Sequence, residues 1–277
     1  GRNPWFGCVE DIAAVSLAHP AIRITMQALQ ALAEAGAVVL VADARRLPLA
    51  MMQPVRASGL VAGRVRRQAE WLLSQPEQAE ALWGQIVAAK LAMQADALRR
   101  RGKNGHLRLR RLARQLPAGD PAQIEAQAAR HYWKHLFSRD FRRVKPDAED
   151  AINARLNYGY AILRALVARQ IALTGLEPSL GLHHKSAANP FNLADDLMEP
   201  LRPLVDGIVH DHPTDRPLTP EDKRRLLGMI EKSVYMNDGR EYRLHAALDA
   251  MVASLVRAMG RSCPRLVLPE AEGGEAE

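Results

Sequence analysis

The sequence predicts an α+β protein in which a small N-terminal β-rich domain, residues 1–47, precedes a large, mainly α-helical domain, residues 56–268. Short apolar runs separated by turn residues fill the first domain, and such runs are typical of buried strands. In the second domain, apolar side chains recur at helical spacing in stretches bounded by proline, glycine or capping residues. The 277 residues are 48% hydrophobic, which is enough for a sizeable core.

In the N-terminal domain, residues 9–18 alternate enough to be a strand. Residues 22–35 have a helical composition, with Gly36 placed to end the helix, and residues 37–42 form a short apolar strand. Two strands and one helix make a poor independent core, so we expect this domain to be incomplete. Asp43 to Pro54, with Arg45, Arg46, Pro48 and Pro54, then looks like a linker, and we place the linker between the two domains at residues 48–55.

Start and stop signals divide the helical domain. Its helices are expected at 68–97, after Asp120, from Pro146 to Thr174, from Asn192, after Thr219 and at 241–258, and an acidic tail, 269–277, is expected to be disordered.

We find no signal peptide and no apolar run of the roughly 18 residues that a membrane span needs, so no membrane association is expected. Two cysteines without CxxC spacing indicate neither a disulfide framework nor a zinc ribbon, which favours a cytoplasmic protein.

Basic residues exceed acidic ones by 38 to 31, giving a formal net charge of +7. Such a surface favours a polyanionic partner, nucleic acid first, although an inert basic surface fits equally well. Residues 99–114 contain eight basic and no acidic side chains, and a second basic block follows at residues 139–145. Neither block carries interleaved aromatics, so contact with a duplex backbone is favoured over base stacking. The DNA-binding candidates are Arg110, Arg111, Arg142, Arg143 and Lys185.

The segment GLHHKSAANPFNLADDLMEPLRPLVD, residues 181–206, concentrates the groups that ligate divalent cations. A helix starting at Asn192 places Asp196 and Glu199 three residues apart on one face. Asp195 is explained as a helix-capping residue, whereas Asp196 and Glu199 are not. A charged pair inside an apolar helix is costly unless a metal, a proton or a partner compensates it.

The two histidines of this segment, His183 and His184, point in different directions in any regular structure. At most one of them therefore faces a metal, and the residue pattern alone does not choose between them. Hydrogen-bonded loop histidines are the alternative.

Glu125 is a carboxylate on a helix face that should pack inward. It shares that face with Ala129, Tyr132 and Leu136, at helical spacing. A buried carboxylate raises its pKa or finds a cation, although an edge position or a salt bridge to an arginine is the simpler explanation. Together with a histidine and a second carboxylate from separate helices, Glu125 could bind one divalent cation.

Three segments of the helical domain carry a family resemblance: IEAQAARHYWKHLF around Glu125, DAINARLNYGYAILRAL from Asp150, and GLEPSLGLHHKSAANPFNLADDLMEPLRPLVD from Gly175. On these segments the chain resembles the CRISPR-associated Cas1 family, the integrase and endonuclease subunit of the spacer-acquisition complex. The family normally begins with further strands before a segment like that at Val9, so the resemblance also implies a partial β-domain.

The resemblance implies a metal-binding triad of Glu125, His184 and Glu199, with His183 as the alternative histidine and Asp196 near the site. It implies Mg²⁺ or Mn²⁺ as cofactor, a homodimer that pairs with Cas2, and prespacer and CRISPR-repeat DNA as substrates. The implied reaction is attack of a prespacer 3′-hydroxyl on a phosphodiester at the repeat boundary.

Two other functions are compatible with the residues. A non-catalytic, basic DNA-binding scaffold of the same fold would be free to lose the triad, so its presence argues against this class. A metal-dependent phosphohydrolase of small molecules would leave the arginine blocks without a purpose.

Overall fold

The computed structural model describes residues 8–12, 14–17, 19, 21–42, 48–52, 59–116, 121–144, 150–260 and 264–271. In these ranges helices dominate, with a three-stranded sheet near the N-terminus and a two-stranded ribbon near the C-terminus. None of the helices described combines the length and the apolarity that crossing a bilayer would require.

The N-terminal sheet has the strand order β1 (Ala14–Leu17), β2 (Val38–Ala42), β3 (Pro48–Met52). Helix α1 (Met26–Glu34) connects β1 to the parallel β2, and β3 returns antiparallel to β2. Gly36 has φ 71° directly after α1, a left-handed conformation that favours glycine. The sheet and α1 share a small core built around Leu32, Ala37 and Val39.

Two predictions for this region need correction. The strand predicted over residues 9–18 is limited to β1, because Val9–Asp11 form a 3-10 turn. The predicted linker, residues 48–55, begins with β3, whose pairing with β2 was not visible in a proline-containing segment. Residues 53–55 lie outside the described part of the chain.

The helical domain comprises α2 (Gly59–Ser74), α3 (Pro76–Arg100), α4 (His106–Arg114), α5 (Pro121–Leu136), α6 (Ala151–Thr174), α7 (Asn192–Leu197), α8 (Arg202–Asp211), α9 (Pro220–Leu227) and α10 (Leu244–Ala258). A 3-10 turn, Glu199–Leu201, joins α7 to α8, and β4 (Ser233–Tyr235) pairs antiparallel with β5 (Glu241–Arg243). Fully buried side chains of α3 and α6, among them Leu82, Ile86, Ile162 and Leu163, lie in the main core. These two long helices are the scaffold against which the site elements pack.

Several predicted helix ends are confirmed. Thr219 and Asp222 form a reciprocal capping box at the start of α9. Gly175, with φ 83°, ends α6. The predicted start signals at Asp120 and Pro146 lie outside the described residues, and the cap of α6 is Asp150, whose carboxylate accepts from the Asn153 N–H at 2.8 Å.

Other boundaries differ from prediction. The single helix expected at 68–97 is two helices, because Pro76 opens a new helix after Gln75. The helix expected at 241–258 is preceded by strand β5. The tail predicted from residue 269 starts with ordered residues, since Pro269 pairs with Met236 and Ala271 is buried; residues 272–277 lie outside the described part.

Candidate active site

The side chain of Asp196 holds the loop before α7 in place by accepting hydrogen bonds from its backbone. This fully buried carboxylate accepts the backbone N–H groups of Leu182, His183 and His184 at 2.6, 3.0 and 3.2 Å. His184 Nδ1 also lies 2.6 Å from Asp196 Oδ1. Because a carboxylate accepts, Nδ1 donates, which leaves Nε2 of the neutral imidazole with its lone pair. The hydrogen bond that His184 donates to Asp196 is the main cause that raises the pKa of His184.

Gly181 permits this close packing. A Cβ atom at Gly181 would lie 2.3 Å from the His184 carbonyl oxygen and 2.9 Å from both Asn192 Cβ and Asp196 Oδ2. Any larger residue would therefore push the loop away from Asp196.

The expected cap of α7 is displaced by one residue. Phe191 occupies the cap position and Asn192 is the first helical residue. The Asn192 amide instead donates to the carbonyl oxygens of Ser179 at 3.0 Å and Ser186 at 2.9 Å, so it holds the two ends of the loop together. Asp195, predicted as a capping residue, accepts from Asn189 Nδ2 at 2.8 Å.

Two of the predicted ligands, Glu125 on α5 and Glu199 in the 3-10 turn, meet at Lys90 on α3. Lys90 Nζ lies 2.6 Å from Glu125 Oε1 and 2.5 Å from Glu199 Oε2, and Lys90 is only 8% exposed. Arg202 Nε lies 2.8 Å from the other oxygen of Glu199. Burial opposes ionisation of Glu199, but the charges of Arg202 and Lys90 outweigh it and lower its pKa to about 2.

Lys90 is a site residue that the sequence pattern did not single out. Burial lowers its pKa, but the charges of Glu199 and Glu125 more than compensate, so the pKa rises and the ammonium is retained. The signal was a single lysine on an apolar stretch of α3 whose neighbours Val87 and Leu91 are fully buried. This is the pattern that identified Glu125 on α5.

The structure brings Glu125 and Glu199 to one positive charge but does not bring three ligands together. Within the described ranges, no three histidine, cysteine, aspartate or glutamate side chains are placed to hold one metal ion. His184 nevertheless lies within electrostatic range of Glu199, since each charge shifts the pKa of the other group. The three predicted ligands are thus electrostatically coupled, and the cation that contacts both glutamates is the ammonium of Lys90.

The donor set fits a hard divalent cation. Two carboxylates and one imidazole are ligands that Mg²⁺ and Mn²⁺ accept. Glu199 Oε2 is buried and receives no aligned hydrogen bond from the described residues, although Lys90 Nζ lies nearby. Glu199 Oε2, whose charge is balanced by a nearby cation without an aligned hydrogen bond, is therefore suited to coordinate a metal ion.

The adjacent histidines have different surroundings. The His183 ring stacks on the Trp83 indole of α3, with ring centroids 4.4 Å apart and planes 2° from parallel. His184 meets the same indole edge-on at 5.9 Å and is the histidine bonded to Asp196. The sequence could not choose between them, because their difference depends on Trp83, far away in the chain.

The first arginine run is partly neutralised by acids outside it. Arg99 and Arg100 contact Asp96 at 2.7 and 2.5 Å, and Arg101 contacts Asp211 at 2.6 Å. These three arginines tie α3 to itself and to α8, so structural pairing accounts for the start of the run.

The DNA-binding candidates are divided between surface and interior. Arg111 on α4, Arg142 and Lys185 are exposed, and Arg110 is half-buried. Arg143 turns inward: its guanidinium donates to Asn153 Oδ1 at 2.9 Å and Asn157 Oδ1 at 2.6 Å, and burial lowers its pKa. The geometry therefore supports a surface role for the first four and a structural role for Arg143.

Another buried carboxylate, Asp206 on α8, accepts hydrogen bonds from two tyrosines. Tyr132 donates to Asp206 Oδ2 at 2.9 Å, and the Tyr160 hydroxyl donates to Oδ1. Burial raises the pKa of Asp206 to about 7 despite these hydrogen bonds. The Tyr160 ring also lies beneath the Arg202 guanidinium, 4.7 Å from its centroid, so this cluster touches the carboxylate site.

Comparison with known sequences gives a consistent result. The family described as CRISPR associated protein Cas1 matches residues 8–249. The CRISPR-associated endonuclease Cas1 of Neisseria meningitidis serogroup C is 37% identical over 273 residues, which cover 95% of this chain and 86% of that protein. The CRISPR-associated endonuclease Cas1 2 of Pyrobaculum aerophilum is 33% identical over 213 residues, or 73% and 71% of the two chains.

Solved structures share the fold. A casposase bound to integration product has a TM-score of 0.75 at 21% identity, covering 96% of this chain and 83% of that one. A CAS1 protein from Thermotoga maritima has a TM-score of 0.74 at 18% identity, covering 93% and 89%. A chain of a Cas6-RT-Cas1–Cas2 complex has a TM-score of 0.69 at 22% identity, covering 94% of this chain and 32% of that one.

Proposed function

The chain belongs to the CRISPR-associated Cas1 family, and from that premise we propose that it is a metal-dependent DNA endonuclease and integrase of CRISPR adaptation. In the proposed reaction, the 3′-hydroxyl of a prespacer attacks a phosphodiester at the edge of a CRISPR repeat. The observation that carries the proposal is the convergence of Glu125 and Glu199, from distant elements, on one positive charge near His184. The curated relatives are named endonucleases, and a structural neighbour is a casposase bound to integration product.

We assign Glu125, Glu199 and His184 as the residues that hold Mg²⁺ or Mn²⁺. Bound there, the cation supplies Lewis-acid polarisation of a phosphoryl oxygen and stabilises the charge that develops on it. The low pKa of Glu199 keeps this ligand ionised at neutral pH. Asp196 binds Nδ1 of His184 and thereby orients the ring and keeps Nε2 available.

Lys90 and Arg202 give the site its charge balance. The buried Glu199 beside the partly buried Glu125 would be strongly destabilising without compensation, and these two cations make the pair tolerable in the absence of a metal. A divalent cation must compete with the ammonium of Lys90 for Glu125 and Glu199. Metal affinity is therefore expected to depend on Lys90 as well as on the ligands.

We propose DNA and Cas2 as partners, and a homodimer as the working form. The exposed Arg111, Arg142 and Lys185, with the half-buried Arg110, provide positive charge for the DNA backbone. The fold shared with a chain of the Cas1–Cas2 complex supports the Cas2 assignment. The three-stranded sheet is proposed as part of a larger β-domain that holds the dimer contact, and solution mass measured with and without Cas2 tests both contacts.

The deciding experiment is DNA strand integration and cleavage with Mn²⁺, comparing the parent with Glu199→Ala and His184→Ala. Each variant removes a proposed ligand, so we expect activity to fall by about 100-fold or more. Glu231→Ala is the matched control, because Glu231 is an exposed carboxylate paired with Arg243. If both site variants remain folded and match the control in activity, the assignment is wrong.

The scaffold alternative has one observation in its favour: the cation between Glu125 and Glu199 is the protein's own Lys90. A scaffold would keep that arrangement in any metal concentration. Calorimetric titration of Mn²⁺ into the parent and Glu125→Gln separates the two functions. The enzyme shows a binding site that the Gln substitution weakens, whereas the scaffold shows no site that depends on Glu125.

A further inference from the structure

The stacked pair of Trp83 and His183 presents an aromatic surface next to the carboxylate site. Trp83 is 2% exposed and forms the inner layer, whereas His183 is exposed and lies flat against it, 4.4 Å away between centroids. One face of the imidazole is covered by the indole. The ring therefore has its other face available to a planar group.

His184 does not cover that outer face. Its ring is perpendicular to both layers, with its centroid 5.9 Å from that of Trp83 and 5.4 Å from that of His183. A ring at nearly equal distances from two layers lies beside the stack and not on top of it. The pair and His184 thus form a corner, with an open stacking face on one side and the proposed metal ligand on the other.

The surface is fixed in place by the elements that build the site. The backbone N–H of His183 donates to Asp196 Oδ2 at 3.0 Å, so the carboxylate that holds His184 also holds His183. Trp83 lies on α3 two turns before Lys90, on the same helical face and about 10 Å along the axis. A DNA strand whose scissile phosphate lies at Glu125 and Glu199 would therefore place a neighbouring nucleotide near His183.

Packing alone does not explain the indole. Trp83 Nε1 is buried and has no hydrogen-bond partner within the part of the chain that the structure describes. An unpaired buried donor is destabilising, and a leucine or phenylalanine would fill the space without one. The large flat surface of the indole, used to support His183, accounts for a tryptophan at this position.

We propose that the outer face of His183, supported by Trp83, stacks on an unpaired nucleobase next to the scissile phosphodiester. Histidine is among the side chains on which unstacked bases are bound, and such stacking tolerates different bases. The inference rests on the proposed function for its ligand, DNA. It assigns His183 a positioning role that is distinct from the metal-ligand role of His184.

The test uses a single-stranded oligothymidine with one 2-aminopurine, moved by one position at a time, bound to the full chain in EDTA so that no strand is cut. Stacking quenches 2-aminopurine, so we expect quenching at one position. It should be lost in His183→Ala and retained in His183→Phe, which keeps a flat ring. His245→Ala, which removes an exposed histidine of α10, should behave as the parent.

An abasic nucleotide at the quenched position completes the design. It should weaken binding by roughly five- to 100-fold in the parent and in His183→Phe, and by less than about twofold in His183→Ala. If His183 only positioned the loop, the abasic penalty would be the same in His183→Ala as in the parent, and that result overturns the proposal. Absence of a quenched position in the parent overturns it as well.

These outcomes are separable from failure of the proposed function. Stacking is measured without metal and without turnover. A chain that stacks a base but never cleaves DNA would therefore support the stacking role of His183 and contradict the proposed enzymatic function. A chain that cleaves DNA in a Glu199-dependent reaction, but shows no base-dependent effect of His183, would support the enzymatic function and contradict the stacking role.

Discussion

Glu199 and Asp206 are two buried carboxylates seven positions apart, and they have opposite ionisation behaviour. Both are at least 94% buried, and burial favours the neutral form of each. Glu199 contacts the cations Lys90 and Arg202, and its pKa falls to about 2, whereas Asp206 accepts from two tyrosines and its pKa rises to about 7. The charge of the nearest partner, and not the degree of burial, therefore decides which carboxylate remains an anion at neutral pH.

Arg202 contacts both the Glu199 site and the Asp206 cluster, but it affects the two carboxylates differently. Its Nε lies 2.8 Å from Glu199 Oε1, whereas its link to Asp206 runs through Tyr160, whose ring centroid lies 4.7 Å from the guanidinium and whose hydroxyl donates to Asp206. Direct contact stabilises the anion of Glu199, whereas the charges of Arg202 and Arg143 do not offset the burial of Asp206. The same arginine thus supports a ligand carboxylate on one side and a structural cluster on the other.

The strongest way to break this contrast is Lys90→Met. The substitution leaves Glu125 and Glu199 facing each other without the shared cation, so Glu199 should become more like Asp206, with a higher pKa. Removing one partner of a buried ion pair costs about 3–5 kcal/mol, and we expect a loss of that size in the free energy of unfolding at pH 7. Urea denaturation measures it.

Lys134→Met is the control for this variant, because Lys134 is an exposed lysine of α5. Saturating Mn²⁺ should restore stability to Lys90→Met more than to the parent, since no ammonium competes for the two carboxylates. Equal stability of the Lys90 and Lys134 variants would show that the bridging charge contributes nothing.

The two carboxylates should also give opposite pH profiles of stability. For Asp206, the unfolded group ionises near pH 3.8 and the folded group near pH 7, so its contribution is lost as the pH rises through that window. For Glu199, the folded pKa of about 2 lies below the usual 4.5, so its contribution is lost as the pH falls below about 4.5. The losses are on the order of 4 and 3 kcal/mol.

Asp206→Asn and Glu199→Gln isolate these windows when urea denaturation is repeated from about pH 3 to 8. The difference in stability between the parent and Asp206→Asn should shrink with rising pH. The difference between the parent and Glu199→Gln should shrink with falling pH. Parallel slopes for both variants would remove the basis of the comparison.

Local sequence signals predicted the parts of the molecule that depend on neighbouring residues. The helix start at Thr219 and the helix end near Gly175 were predicted from local start and stop residues. Glu125 was found because its spacing from Tyr132 and Leu136 put a charge on an apolar face, and both of those side chains are fully buried. Asp196 was singled out from the same short segment as Glu199, although α7 ends at Leu197 and does not carry both carboxylates.

What the sequence did not reveal depends on contacts between distant segments. The stack of Trp83 on His183 and the bridge from Lys90 to Glu199 each join α3 to a loop more than 90 residues later. Helix α4 was hidden because its arginines dominate the segment, although Leu109 and Leu112 supply the buried side of that helix. Strands β4 and β5, of three residues each, are too short to show an alternating pattern.

The smallest and most selective change is Tyr160→Phe. It removes the hydroxyl that donates to Asp206 Oδ1 and retains the ring beneath Arg202, so Glu199 should keep its partners. We expect a loss of about 1–2 kcal/mol, because a buried acceptor loses a donor, together with a further rise in the pKa of Asp206. Tyr242→Phe, which removes an exposed hydrogen bond to Asp238, should cost less. If Tyr160→Phe also lowered Mn²⁺ affinity several-fold by calorimetry, the two carboxylates would form one coupled site and their separation into ligand and structural groups would be wrong.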